Sequence, residues 1–210
     1  QPPLYKVKRG KRELFLKDDL ALAAFVLDAG ADGLAVRTRD GGLTLTGQPL
    51  RNLLDELLRF RELSDRLRRF ADPNVVKAVV RETSLDVDAL HDEARVQAAV
   101  ATLEASLRRG QPDVSFKIEV KDDPDHECKK IEIQQRAGVA SRNSTISHAL
   151  LSTVDWRRLR ELQAAINALG KPPFIAGEGN GDEGTELDGV DALWNFVDVR
   201  GHKGLQLQRY

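Results

Sequence analysis

Methionine is absent from all 210 residues, and cysteine occurs once, at Cys128. A single cysteine excludes an internal disulfide and suits a reducing compartment, so the expected location is cytoplasmic. Aromatic residues make up only 5%, which leaves Leu, Val, Ile and Ala to fill the core. No apolar run is long enough to cross a bilayer; "ALAAFVL" is typical of the longest. A basic-then-apolar secretory leader is also missing. The chain runs from Gln1 through Pro2 and Pro3 straight into a strand pattern, and it stops on "GLQLQRY". Natural ends usually fray. Both ends are therefore expected to be cuts through a longer protein.

What is present is charge. Charged residues make up 31% of the chain and hydrophobic residues 41%, with a net charge of −1. That near-neutrality conceals two opposed segments. Residues 1–17 carry Lys6, Lys8, Arg9, Lys11, Arg12 and Lys17 against Glu13 alone. Residues 176–191 carry Glu178, Asp182, Glu183, Glu186, Asp188 and Asp191 with no base.

The pattern predicts an α+β order. "LYKVK" alternates apolar and basic, "RGKR" turns at Gly10, and "ELFLK" returns, giving a hairpin. A helix over "DDLALAAFVLDAG" is capped by Asp18 or Asp19 and stopped at Gly30. "LAVRTR" and "LTLT" form a second hairpin around Asp40-Gly41. From Pro49 to Phe70 apolar residues recur every three or four positions, and the other face carries Arg51, Arg59, Arg66, Arg68 and Arg69 among acids. Asp72-Pro73 starts a short helix to Glu82, and a longer one runs from about Asp86 to Arg109. "VSFKIEVK" and "CKKIEIQQR" are strands around the turn "DDPDHE", and "TISHALL" reads as another strand. A helix from Thr153 stops at Gly170. "KPPFIA" is extended, "GEGNGDEGTEL" reads as a flexible acidic linker, "GVDALWNFVDVRG" is a helix and "GLQLQRY" a strand. No internal repeat is evident. Segregated strands and helices favour α+β over a doubly wound parallel sheet.

Catalytic patterns fail on their physics. Gly179-x-Gly181-x-x-Gly184 matches the dinucleotide fingerprint in letters, but Glu178, Asp182 and Glu183 would repel a pyrophosphate, and no parallel strand–helix–strand unit surrounds it. The four histidines are scattered, and His126 with Cys128 supplies only two ligands. Asp122, Asp123, Asp125 and Glu127 lack the spacing of a calcium loop. Ser147 and His148 are neighbours on an expected strand and would point to opposite faces. No catalytic residue and no metal ligand is assigned. The basic hairpin is the exception: Lys6, Lys8, Arg9, Lys11 and Arg12 around a glycine turn suit phosphate contact, as positioning without base readout.

"QPPLYKVKRGKRELFLKDD" closely resembles the stretch that leaves the Toprim core in bacterial type IIA topoisomerase B subunits. "GLQLQRY" resembles the strand running into that family's lysine-glycine-leucine-glycine-glutamate-methionine motif. Nearly the whole chain separates the two stretches, which is similar to DNA gyrase B subunits of the Gram-negative type, with a large insertion in Toprim. "LLDELLRFRELSDRLRRF", "VSFKIEV" and "DALWNFVDVRGHKGLQLQRY" fit its order. The topoisomerase IV counterpart usually lacks so long an insertion.

The resemblance implies residues 1–30 as a Toprim-region hairpin and helix, 31–187 as an α+β insertion domain of antiparallel hairpins and helices, and 188–210 as the returning helix and strand. It implies support of DNA binding and coupling to the gyrase A subunit in ATP-dependent negative supercoiling. The partners are then double-stranded DNA and the DNA gyrase A subunit, with no membrane. ATP and Mg belong to the full-length protein. The family's metal-binding acids and ATPase domain lie before Gln1, and the cleaving tyrosine is in the A subunit, so no catalysis is expected from this chain alone. The alternative is a protein–protein adaptor without DNA contact, working through Arg59, Arg66, Arg68 and Arg69.

Overall fold

A computed structural model describes residues 3–39, 42–168, 172–178 and 184–210. The expected Asp40-Gly41 turn, the helix stop at Gly170 and most of the glycine-rich loop (residues 179–183) lie outside the described residues.

In chain order the elements are β1 (Tyr5–Arg9), β2 (Arg12–Leu16), α1 (Asp19–Ala31), β3 (Leu34–Thr38), β4 (Thr44–Thr46), α2 (Gly47–Arg66), α3 (Pro73–Glu82), α4 (Glu93–Gly110), β5 (Ser115–Asp123), β6 (Cys128–Ala137), β7 (Ala140–Ile146), α5 (His148–Leu151), α6 (Val154–Ala168), β8 (Phe174–Glu178), β9 (Thr185–Leu187), α7 (Val190–His202) and β10 (Leu205–Arg209). Every strand pairing among the described residues is antiparallel, so the fold is α+β.

The chain divides into two compact units, residues 1–59 with 166–210, and residues 60–165. The first unit holds two sheets, ordered β10-β1-β2 and β4-β3-β8-β9. Gly10 makes the β1–β2 turn at φ +60, a region glycine enters without Cβ strain. Asp18 caps α1, its carboxylate accepting from the Ala21 N–H at 2.8 Å. Gly30 is no helix stop: α1 continues through Ala31. A Cβ at Gly30 would stand 2.1 Å from the Val197 carbonyl oxygen of α7, and one at Gly201 2.0 Å from the Val26 carbonyl oxygen of α1. The two glycines let the helix backbones touch.

That reciprocal crossing belongs to a duplication. The run β1–β2–α1–β3 recurs as β8–β9–α7–β10. Helix α7 lies 171 positions after α1 at both ends (Asp19 and Val190, Ala31 and His202), and β10 lies 171 after β3. Gly33 and Gly204 occupy the same place between helix and strand, at φ +68 and +72. The halves exchange their last strands. Strand β10 pairs with β1 in the register Tyr5↔Arg209, Val7↔Leu207 and Arg9↔Leu205. Strand β3 pairs with β8 in the register Phe174↔Thr38, Ala176↔Val36 and Glu178↔Leu34. Even the bonds beyond the ladders correspond, Tyr210 N–H to the Leu4 carbonyl at 3.0 Å and Arg39 N–H to that of Pro173 at 3.3 Å. An approximate two-fold axis passes between the helices, as in an isologous dimer. This overturns the expectation of no repeat. Its trace in sequence is Phe25-Val26, Gly30, Gly33-Leu34 against Phe196-Val197, Gly201, Gly204-Leu205. The remaining positions follow two different surroundings and have diverged.

The second unit packs α3, α4 and α6 with the sheet β5-β6-β7. Val75, Val76, Val79, Val96, Leu103, Ile131, Ile133, Ile146 and Leu159 are buried together with Trp156. Asp72 caps α3, accepting from the Asn74 N–H at 2.9 Å, with Pro73 in the first turn.

Three further expectations need correction. The helix expected from Asp86 is a 3-10 turn over Asp88–His91 followed by α4, because Asp92 accepts the Ala94 and Arg95 N–H groups and starts the helix anew. The strand expected over residues 145–151 ends at Ile146 as the last part of β7, and residues 148–151 coil into α5. The acidic linker is bounded by structure: β9 pairs with β8 through Ala176↔Thr185. Gly184 fits there because a Cβ would lie 2.7 Å from Ile175 Cγ2 and 2.9 Å from the Ala176 carbonyl oxygen. The third glycine of the false fingerprint is thus a packing residue.

Candidate nucleic-acid interface

The basic hairpin forms as its alternation dictates. Tyr5 and Val7 are buried, while Lys8 and Lys11 are exposed. Facing residues in the β1–β2 ladder are Lys6↔Phe15, Lys8↔Glu13 and Arg9↔Arg12. Since directly opposed residues share a sheet face, the five cations do not form one patch. Lys6 and Lys8 share the polar face with Glu13 and Phe15. Arg9 and Arg12 point to the opposite face, beside Val7 and Leu14, and Lys11 stands at the turn.

The cations also differ in freedom. Lys6 Nζ lies 2.7 Å from Glu13 Oε1 and 5.6 Å from the Phe15 ring centroid. The hydrogen bond to Glu13 raises its pKa further, against a smaller opposing effect of burial. Lys6 stays protonated, with its charge partly offset by the Glu13 carboxylate. Among the described residues no ion pair engages Lys8, Arg9, Lys11 or Arg12. At the base of the hairpin the Tyr5 hydroxyl donates to Asp19 at the start of α1, and that bond raises the phenol's pKa. It ties strand to helix.

The arginine-rich face has less free charge. Arg66 is 2.6 Å from Glu62 and Arg68 is 2.9 Å from Asp65, both within the local helical spacing. Arg69 lies 4.6 Å from the Phe70 ring centroid, and Arg59 is exposed. Arg51 bonds Asp28 and approaches Asp32 at 3.9 Å, so it holds α2 to α1 within the first unit.

The remaining polar groups are structural. His126 stacks on His148 with centroids 4.2 Å apart, and its Nδ1 is 3.1 Å from Asp123. Cys128 is buried, which pushes its thiol pKa up. Among the described residues no group of three His, Cys, Asp or Glu could hold a metal. Ser147 ends the strand before α5 instead of alternating with His148 along one. A cleft of about 290 Å³ is lined by Asp72, Gln111, Gln135 and Arg142. Arg142 bonds Asp72 directly across it. That pair was not legible beforehand, because its partners are far apart in sequence. No described helix is long and apolar enough to cross a membrane.

Comparison with known proteins gives matches to two parts of the chain and to its whole length. A family model described as the DNA gyrase B subunit insert domain matches residues 35–172, and one described as the GyrB hook matches residues 3–27. The DNA gyrase B subunit of Caulobacter vibrioides is 30% identical over 212 residues, covering 100% of this chain and 24% of that protein. That of Rickettsia felis is 30% identical over 105 residues, 49% of this chain and 13% of that protein. A type 2 topoisomerase B subunit of Aquifex aeolicus is 28% identical over 117 residues, 55% of this chain and 14% of that protein. The chain therefore spans about a quarter, or less, of the length of the curated relatives it matches.

Proposed function

The chain belongs to the DNA gyrase B subunit insert-domain family, and from that premise we propose that it supports DNA binding and couples its own subunit to the gyrase A subunit in ATP-dependent negative supercoiling. It is a part of a type II topoisomerase that performs no catalysis by itself. The ATP and Mg of that reaction are handled outside these residues. The carrying observation is the β1–β2 tip, where Lys8 and Lys11 are exposed with no ion pair among the described residues. A narrow hairpin with two free ammonium groups fits a duplex backbone, and contacts of this kind hold position without reading sequence. Lys6 contributes less because Glu13 holds it. Arg9 and Arg12 reach the same duplex only from the other sheet face.

The test is binding of this chain to a short duplex as salt is raised. Counterion release gives a log–log slope near −0.9 per phosphate contacted. A slope of about two contacts that disappears in Lys8→Glu/Lys11→Glu supports the reading. No binding at low salt removes it and leaves the adaptor alternative. That alternative rests on Arg59 and Arg69, the exposed arginines of its face with no ion pair among the described residues. Under it, charge reversal at Arg66, Arg68 and Arg69 weakens a protein partner contact, leaving DNA untouched.

A further inference from the structure

The approximate two-fold axis makes a comparison possible inside the first unit. Strands β3 and β10 are equivalent, yet β3 is buried along almost its whole length and β10 is exposed along almost all of it. At matched positions Val36 is 2% exposed and Leu207 is 47% exposed. The difference has a visible cause. The outer edge of β3 carries β4, in the register Ala35↔Thr46, Val36↔Leu45 and Arg37↔Thr44. Leu45, with Leu53 of α2, closes over Val36. No strand among the described residues occupies the same edge of β10.

That edge is ready for pairing. The Thr38 N–H bonds the Leu43 carbonyl on the β4 side, whereas the Arg39 N–H bonds the β8 side. By the matching bond from Tyr210 to Leu4 and strand alternation, the N–H groups of Leu205, Leu207 and Arg209 face outward. Among the described residues they form an unpaired row, the usual template for strand addition. On the inner face Leu207 continues the apolar row of Val7 and Leu14, the latter 46% exposed. Arg209 stands at one end of the edge and Arg9 behind Leu205 at the other, with no ion pair for either among the described residues. Arg209 rests over the Tyr5 ring, 5.7 Å from its centroid.

We infer that the β10 edge is a docking site for an extended acidic–aliphatic peptide segment, seated antiparallel as β4 is seated on β3. Its central aliphatic residue stands opposite Leu207, as Leu45 stands opposite Val36. The residue two positions earlier stands opposite Arg209 and is a carboxylate. The residue two positions later lies near Arg9 and is also acidic. The backbone ladder supplies the pairing, and the apolar centre with cationic flanks selects the sequence.

The test uses the 210-residue chain, labelled for amide NMR and titrated with the peptide acetyl-Ser-Glu-Thr-Leu-Thr-Glu-Ser-amide. Hydrogen exchange should slow at the Leu207 and Arg209 N–H groups, with little change at Gln206 and Gln208, which already face β1. Leu207→Asp and Arg209→Glu should each weaken binding by about fivefold, the upper range for one cross-strand pair. A peptide with Lys in place of the first Glu should recover binding to Arg209→Glu, which shows that the variant still folds. Lys8→Glu/Lys11→Glu should leave peptide binding intact, separating this site from the DNA reading. The inference is overturned if the outer amides do not respond, or if a peptide with Gln replacing Leu binds equally well, since charge alone then suffices. It is also overturned if the free chain already dimerises through β10, because a second copy is then the occupant.

Discussion

Gly30 and Gly201 lie on opposite sides of one contact, each facing the backbone of the other's helix. A Cβ on either would come within about the length of one covalent bond and a half of a carbonyl oxygen, at 2.1 Å and 2.0 Å. In an exposed helix, Gly→Ala stabilises by about 1 kcal/mol. Here the sign reverses. Gly30→Ala and Gly201→Ala should each destabilise the first unit by roughly 1–3 kcal/mol, the usual range for overpacking. Gly110→Ala, with nothing within 4 Å of the added Cβ, is the control and should not destabilise. Urea midpoints for the three variants check this, and unchanged midpoints at Gly30 and Gly201 would remove the crossing.

Asp72 should be the costliest polar residue to lose in the second unit. It caps α3 through the Asn74 N–H, bonds Arg142, and its own N–H donates to Ser144 Oγ at 2.9 Å. Asp72→Ala removes a cap worth about 1 kcal/mol, along with the partner of Arg142. Arg142→Ala, at a side chain more than half exposed, should cost less than about 1 kcal/mol. Chemical denaturation of both variants and the double mutant checks the order. Arg142→Ala exceeding Asp72→Ala would contradict it.

The core of the same unit gives a steeper effect. Leu103 is fully buried in α4, and Leu103→Ala should cost roughly 2–5 kcal/mol. Thermal unfolding is the measurement.

The β5–β6 ladder carries a pH signature. Bonding to Lys117 holds Glu119 below its usual pKa, bonding to Lys121 does the same for Glu132, and bonding to Lys129 for Asp122. Each folded pKa is depressed. The contribution is therefore present above the ordinary carboxylate range near pH 4 and is lost as pH falls through the lower folded values. Carboxyl-carbon NMR titration should place all three below that range, and Lys121→Ala should return Glu132 towards it. Glu119 and Asp122 are solvent-exposed and Glu132 is partly so, so the stability change is small.

Local chemistry explains which parts were legible in the sequence. The hairpins and the α3 start followed from alternation, Gly10 and Asp72-Pro73, which act within a few residues. The start of α5 did not follow, since "TISHALL" alternates well enough for a strand until Ser147 turns the chain. The duplication escaped because only residues at the crossing and the turns are shared. Gly30 looked like a stop when its role is contact with Val197, far along the chain. The five cations of the hairpin were identified as a cluster, but their split between two faces needed the register Arg9↔Arg12. Composition shows charge; only pairing shows direction.

The exchange of last strands sets an order of events during synthesis. Residues 60–165 are one continuous stretch and can complete their core as soon as they leave the ribosome, since domains fold as units during synthesis. Strand β1 is made before all of them, yet its second neighbour is β10, which is made after them. The hairpin β1–β2 therefore waits with an open side while everything between is translated. Closing so long a loop is slow, and a mutation that hinders it should show as delayed maturation of the first unit while the second is already native.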